Sequence, residues 1–123
     1  MIRAGIGYDA HRFRRGRKLV LGGAEIPHAI GLEGHSDADV LIHAIADALL
    51  GAIAERDIGH HFPDSDEKLR GISSLEILKR VGEILAAKNC RVLNVDATVI
   101  AEAPKIGPHL DTMRNNKIGR AHV

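Results

Sequence analysis

Apolar and polar positions change period several times along this chain. Residues 2–8, IRAGIGY, alternate and place Ile2, Ala4, Ile6 and Tyr8 on one side, which predicts a first strand. A Gly/Arg turn over 14–18 leads into LVLGGAEIP (19–27), a strand interrupted by a glycine pair at a bulge. Pro27 and Gly31 break the chain before GHSDADVLIHAIADALLG (34–51). That stretch is apolar almost all the way round, the pattern of a helix headed for a core. Ser36 is its expected N-cap, with Asp37 and Asp39 in a first turn where the helix dipole favours anions. The helix is expected to run to Leu50 and to stop at Gly51 or soon after.

Residues 57–72, DIGHHFPDSDEKLRGI, hold Gly, Pro and several Asp and read as an irregular loop. SSLEILKRVGEILAAKN (73–89) opens with Ser73 and Glu76 at capping-box spacing. Leu75, Ile77, Leu78, Val81, Ile84 and Leu85 form its apolar face, and Asn89 suits a C-terminal turn. VLNVDATVIAE (92–102) alternates most regularly, with Leu93, Val95, Ala97, Val99 and Ala101 on one face, and predicts a half-buried strand. Pro104 and Pro108 lead into a short helix over roughly 108–116. Strands alternating with helices indicate an α/β sandwich.

A length of 123 residues fits one domain. With 17 basic against 16 acidic residues, no global field recruits nucleic acid or a membrane. The aromatics Tyr8, Phe13 and Phe62 leave little for stacking bases. Arg12, Arg14, Arg15, Arg17 and Lys18 read most simply as a solvated loop. Cys90 is alone, which fits a reducing compartment. The opening MIRAGIGYDAHRF lacks the apolar core of a signal peptide, and no apolar run approaches membrane-spanning length. A soluble cytoplasmic protein is expected.

Ionisable groups inside the long helix change this bland picture, because burying them without compensation is expensive. Asp9 and His11, two apart on an extended segment, point to the same side. With His43 they can form the corners of a divalent-metal site. Asp47, one turn from His43, is placed to orient its ring. Three protein ligands with an open fourth position describe a catalytic zinc; a strand-end pair and an ordinary helix pair explain the same spacing. His35 and Ser36 stand at the mouth of the helix, where free N–H groups receive phosphate, although for Ser36 the spacing alone favours a Ser cap beside a bystander histidine. Asp57-Ile58-Gly59 and Phe62-Pro63-Asp64-Ser65-Asp66 are turn chemistry, or else acidic groups that grip sugar or polyol hydroxyls. His60 and His61 read as surface histidines, since adjacent side chains diverge. Lys105, between two prolines, presents one ammonium to a phosphate or to solvent.

GYDAHRF, LVLGGAEIP, GHSDADVLIHAIADALLGA, DIGHHFPDSD and NVDATVIAEAPKIGPHL resemble, in order and spacing, the 2-C-methyl-D-erythritol 2,4-cyclodiphosphate synthase family of the non-mevalonate isoprenoid (MEP, terpenoid) pathway. The resemblance runs from Met1 to about Asn116. It implies a single-domain two-layer α/β sandwich, a mixed β-sheet with helices on one face, assembled as a homotrimer. It also implies a phosphorus–oxygen lyase that converts 4-diphosphocytidyl-2-C-methyl-D-erythritol 2-phosphate to the cyclic diphosphate plus CMP. On this resemblance Asp9, His11 and His43 are ligands of Zn2+, with Asp9 and His11 also at the substrate. His35 stabilises the transition state and, with Ser36, binds substrate. Asp57, Gly59, Phe62, Pro63, Asp64, Ser65 and Asp66 match the methylerythritol pocket. Ala101, Pro104, Lys105 and Ile106 match the loop that receives the cytidine diphosphate from a neighbouring subunit.

Members of that family continue further, through a Thr-Thr-Glu motif whose Glu holds a second cation, Mg2+ or Mn2+, and through a final strand. Here the chain ends in NNKIGRAHV. AAG ATC GGA AGA GCA CAC GTC encodes KIGRAHV, and all of it after the first nucleotide is the common sequencing-library adapter AGATCGGAAGAGCACACGTC. The expectation is therefore a synthase domain over 1–116, incomplete at its C-terminus, and a non-native tail over 117–123. A zinc-dependent phosphohydrolase using the same ligands, and a non-catalytic metal-stabilised subunit, are the alternatives.

Overall fold

The chain folds as a mixed α/β structure with small antiparallel sheets and helices, and the computed structural model describes residues 1–121, with side chains up to Asn116. Strand β1 (Phe13–Arg15) pairs antiparallel with β4 (Ile30–Leu32), and β2 (Leu19–Leu21) pairs antiparallel with β3 (Ala24–Ile26). Helix α1 spans Val40–Ala52, a single turn α2 covers Ile58–His61, α3 spans Ser74–Ala87 and α4 spans Leu110–Ala121. Short 3-10 turns at Glu67–Leu69 and Gly107–His109 complete the order.

The glycine pair expected at a bulge is instead a hairpin turn. Leu21 pairs with Ala24, so Gly22 and Gly23 form a two-residue loop, with φ of 58° and 75°. Positive φ at both central positions is the tight turn whose twist matches the flanking strands, and glycine adopts it without steric cost. The hairpin lays Leu19, Leu21, Ala24 and Ile26 against Leu41, Ile42 and Ile45 of α1, Leu78 of α3 and Met113 of α4. A second cluster joins Ala46 and Leu50 of α1 to Ile77, Val81 and Leu85 of α3 and to Val92. Each fully buried Leu or Ile contributes roughly 1.5–3 kcal/mol. The packing of α1 on α3 therefore sets the frame on which the site is hung.

Both helices start and stop where side-chain chemistry dictates. Ser73 caps α3, as expected, but its hydroxyl accepts from the Leu75 N–H and Glu76 turns to Arg80, so no reciprocal capping box forms. At the other end Asn89 takes φ of 56°, with the Asn89 N–H donating to Ala86 and the Cys90 N–H to Leu85. That is the left-handed cap for which Asn is suited. Helix α1 begins later than expected. Its N-cap is Asp39, not Ser36, and the Asp39 carboxylate accepts from the Ile42 N–H.

Two expected strands are corrected. Residues 2–8 and 92–102 carry no ladder, because alternation selects a face but cannot supply a hydrogen-bonding partner. Gly5 and Gly7, not the larger residues, sit on α1, so close that a Cβ on either would run into the Ala48 or Ala44 carbonyl. Ile2, Ile6 and Tyr8 point outward, as do Leu93, Val95 and Ile100. The irregular loop at 57–72 contains α2 and a 3-10 turn capped by Asp57 and Asp66. The short helix expected over 108–116 is the 3-10 turn running into α4. The change of character expected from Lys117 concerns side chains outside the described residues, as do His122 and Val123; the α4 backbone continues to Ala121. No helix among the described residues is long and apolar enough to cross a membrane.

Candidate metal centre and active site

Asp9 and His11 lie on the extended segment that passes over α1, and His43 stands on the buried side of that helix. The three offer ligand atoms within 4.8 Å of one another. Asp9 Oδ2 is the common point, 2.8 Å from His11 Nε2 and 3.3 Å from His43 Nδ1. The imidazole rings are 5.2 Å apart. His43 is buried, while Asp9 and His11 are half-buried, so the corner opens to one side. Burial would raise the Asp9 carboxyl, yet hydrogen bonds from His11 and His43 hold it well below the usual carboxylate range. The same bond to Asp9 pushes the His11 imidazole up against the opposing effect of burial. One carboxylate and two imidazoles converging on a single open point make a donor set that fits a divalent cation.

Asp47 does not orient His43. Its Oδ1 accepts from the Ile58 N–H at 2.9 Å and ties α2 to α1. The ring of His43 is held instead by Ser36, whose Oγ lies 3.1 Å from Nε2. Ser36 sits in a tight loop in which its Oγ also accepts from the Ala38 N–H at 3.2 Å. Ala38 adopts φ of 59°, a region that costs an L residue about 1–2 kcal/mol. Arg17, read from sequence as solvated, forks onto this loop and donates to the Gly34 carbonyl at 2.7 Å and the Ser36 carbonyl at 2.8 Å.

Asp39 fills the position at which a phosphate was expected to meet the helix. Fully buried, it accepts from Gly22 N–H and Ile42 N–H on one oxygen and from Gly23 N–H and the Ser74 hydroxyl on the other. Burial pushes its carboxyl upward, against those hydrogen bonds. Asp37 adds a link to the same junction by accepting from the Ser74 N–H. Neither Arg17 nor the Asp39 hub was found from sequence. Asp39, the last polar residue before the apolar run, carried an N-cap signal; Arg17 carried none, because its partners are main-chain carbonyls far along the chain.

The remaining predicted residues fall into groups. His35 donates from Nε2 to the Asp66 carbonyl at 3.1 Å, and its own carbonyl accepts from the Gly71 N–H at 2.8 Å. This joins the 34–37 loop to the 62–66 stretch. Phe62 and Pro63 are half-buried there, while Asp64 and Ser65 are exposed. Asp57 caps α2 through the His60 N–H, and Gly59 is exposed on that turn. His61, half-buried, lies with Nε2 2.7 Å from the Glu55 carbonyl. A groove of about 1530 Å³ that runs along much of the chain has Asp9, His11, Ala101, Pro104 and Ile106 among its lining residues. Lys105 is exposed on the 101–106 loop, and Ile106 packs against the core. His35 and Ser36 line a separate, smaller recess with Arg17 and Arg70, and Asp57 and Gly59 line neither.

Comparison with known proteins covers nearly the whole chain. The 2-C-methyl-D-erythritol 2,4-cyclodiphosphate synthase of Alkaliphilus metalliredigens is 61% identical over 115 residues, which span 94% of this chain and 72% of that protein. The synthase of the same name from Syntrophomonas wolfei is 60% identical, spanning 94% and 73%. A solved structure of a 2C-methyl-D-erythritol-2,4-cyclodiphosphate synthase with bound CDP superposes with a TM-score of 0.90 at 36% identity, covering 97% of this chain and 79% of that one. The CDP complex of IspF from Plasmodium falciparum gives a TM-score of 0.80 at 33% identity, covering 97% and 72%. Residues 2–121 match the sequence model of the YgbB family, and with the fold and the relatives in agreement, the chain belongs to that family.

Proposed function

We propose that this protein is a 2-C-methyl-D-erythritol 2,4-cyclodiphosphate synthase, a phosphorus–oxygen lyase of isoprenoid biosynthesis. The observation that carries the reading is the convergence of Asp9, His11 and His43 on one point. In the reaction, an oxygen of the substrate's 2-phosphate attacks the β-phosphorus of the cytidine diphosphate group. The bond from that phosphorus to the bridging oxygen breaks, and CMP leaves with the electron pair. The nucleophile is already an oxyanion, so no strong base is required. The obstacle is repulsion between two anionic groups, and holding both in one molecule and one geometry removes much of it.

Asp9, His11 and His43 would hold Zn2+, which would supply positive charge and polarise the β-phosphoryl group. Around it the chain's own groups orient the substrate. His35, fixed by the Asp66 carbonyl, stands beside Ser36, and the pair binds the substrate's phosphoryl end with the Ser36 hydroxyl as a donor. Asp57, Gly59 and the Phe62–Asp66 stretch receive the methylerythritol hydroxyls. Ala101, Pro104, Lys105 and Ile106 receive the cytidine diphosphate of a neighbouring subunit, Lys105 with its ammonium toward phosphate. The assembly is a homotrimer of two-layer sandwiches acting in the cytoplasm; the outward Ile2, Ile6, Tyr8, Leu93 and Ile100 side chains support an association surface.

Incubation with substrate, Zn2+ and Mg2+ tests the proposal, alongside a version extended by the C-terminal segment of a longer relative. Equimolar CMP and cyclic diphosphate, resolved by 31P NMR, are expected. Inorganic phosphate without cyclic product would identify a phosphohydrolase. Zinc binding and trimer formation without CMP release from either version would identify a non-catalytic subunit.

A further inference from the structure

We propose that Arg17, Ser36 and His43 form a positioning relay that fixes the tautomer and angle of a metal ligand from outside the metal corner. The inference rests on the metal reading of Asp9, His11 and His43 and goes beyond it by assigning roles to groups that touch no metal. His43 faces the corner with Nδ1, the nitrogen 3.3 Å from Asp9 Oδ2. A nitrogen that offers its lone pair to a cation cannot also carry a proton. In neutral His43 the proton must therefore sit on Nε2, and the acceptor within reach of Nε2 is Ser36 Oγ at 3.1 Å.

Ser36 can hold that ring only if its own backbone is held. The Ser36 hydroxyl accepts from the Ala38 N–H, which closes the loop on itself. Arg17 then fastens both sides of the serine, one guanidinium nitrogen on the Gly34 carbonyl and the other on the Ser36 carbonyl. A planar fork can satisfy both carbonyls at fixed spacing, whereas a lysine ammonium reaches one of them. Arg17 precedes β2, and β2 is locked to β3 by the hairpin whose turn the Asp39 carboxylate holds against α1. The relay therefore refers the position of the His43 ring to the hairpin as well as to the helix on which His43 sits.

The test uses the full chain and Zn2+ alone, with affinity read by competition against a chromophoric chelator. The unaltered chain is expected to bind one equivalent; failure to do so overturns the metal reading and the relay with it. Given binding, Ser36→Ala is expected to weaken zinc affinity about 10–100-fold with little change in unfolding midpoint of the metal-free protein. Arg17→Ala is expected to produce a smaller loss in the same direction, partly restored by millimolar guanidinium, and Arg17→Lys to fall between. A purely structural role for Arg17 or Ser36 moves the unfolding midpoint and leaves zinc affinity unchanged in the folded protein, which overturns the proposal. Long-range 1H–15N correlation on the unaltered zinc-loaded chain provides a measurement that needs no variant. A proton on His43 Nε2 is expected; a proton on Nδ1 overturns the relay.

Discussion

Asp39 takes hydrogen bonds from donors on the hairpin turn, the first turn of α1 and the start of α3, with none of its surface exposed. Every approach to its two oxygens is from a donor, so the side chain must be an acceptor throughout. Asp39→Asn replaces one oxygen by an NH2 group that meets the Gly23 N–H, or the Ile42 and Gly22 N–H groups if the amide flips. Such a buried unsatisfied donor costs about 1–3 kcal/mol, and the urea midpoint should fall accordingly. Asp47→Asn is the contrast. Among the described residues only the Ile58 N–H is received there, and an amide oxygen serves as well, so the change should stay within about 0.5 kcal/mol. Equal effects at the two positions would show that carboxylate charge, not donor geometry, stabilises the junction. At this scale the sequence marked the chemically charged residues but not their partners. His43 and Asp47 at helical spacing looked like a pair, yet each has a better partner outside the helix, Ser36 and the Ile58 N–H.

The helix ends carry a second kind of information. Helix α1 closes with the Ala54 N–H donating to Gly51 and the Glu55 N–H to Leu50, which puts Ala54 at φ of 57°. The left-handed region costs an L residue about 1–2 kcal/mol, partly offset because glycine loses about 0.4–1 kcal/mol more entropy on folding. Ala54→Gly should therefore stabilise the chain by about 0.5–1 kcal/mol, visible as a raised thermal midpoint. Asn89→Gly, at the matching turn of α3, should gain less, because Asn tolerates this conformation. An unchanged or lowered midpoint for Ala54→Gly would mean that the Ala54 methyl makes contacts worth more than its strain. Elements whose identity depends on neighbours in sequence were legible: α3 from Ser73 to Asn89, and α1 apart from its first turn. The hairpin was half legible, since Leu-Val-Leu and Ala-Glu-Ile read as extended, but Gly22-Gly23 permits either a bulge or a reversal and only strand pairing decides.

Over the whole molecule, the least legible parts are those whose partners lie far away. Alternation at 2–8 and 92–102 identified extended chain, yet the larger side chains of the first segment face outward and its glycines meet Ala44 and Ala48 of α1. Without a ladder, that segment is held by close backbone contact and by the ionic corner at Asp9 and His11. Its amides should exchange with deuterated water far faster than those of α1 and α3, because exposed, unladdered backbone opens at little cost. A metal changes this balance at one place. Zinc held by Asp9, His11 and His43 would tie the segment to α1 and stabilise the folded chain by about 2.7 kcal/mol at a hundredfold excess over Kd. Hydrogen-exchange mass spectrometry on this chain, with and without zinc, should therefore show slowing over residues 8–12 and little change over 93–100. Uniform slowing of both segments would place the effect in global stability. No slowing at 8–12 would mean that the acid and the two imidazoles do not share an ion.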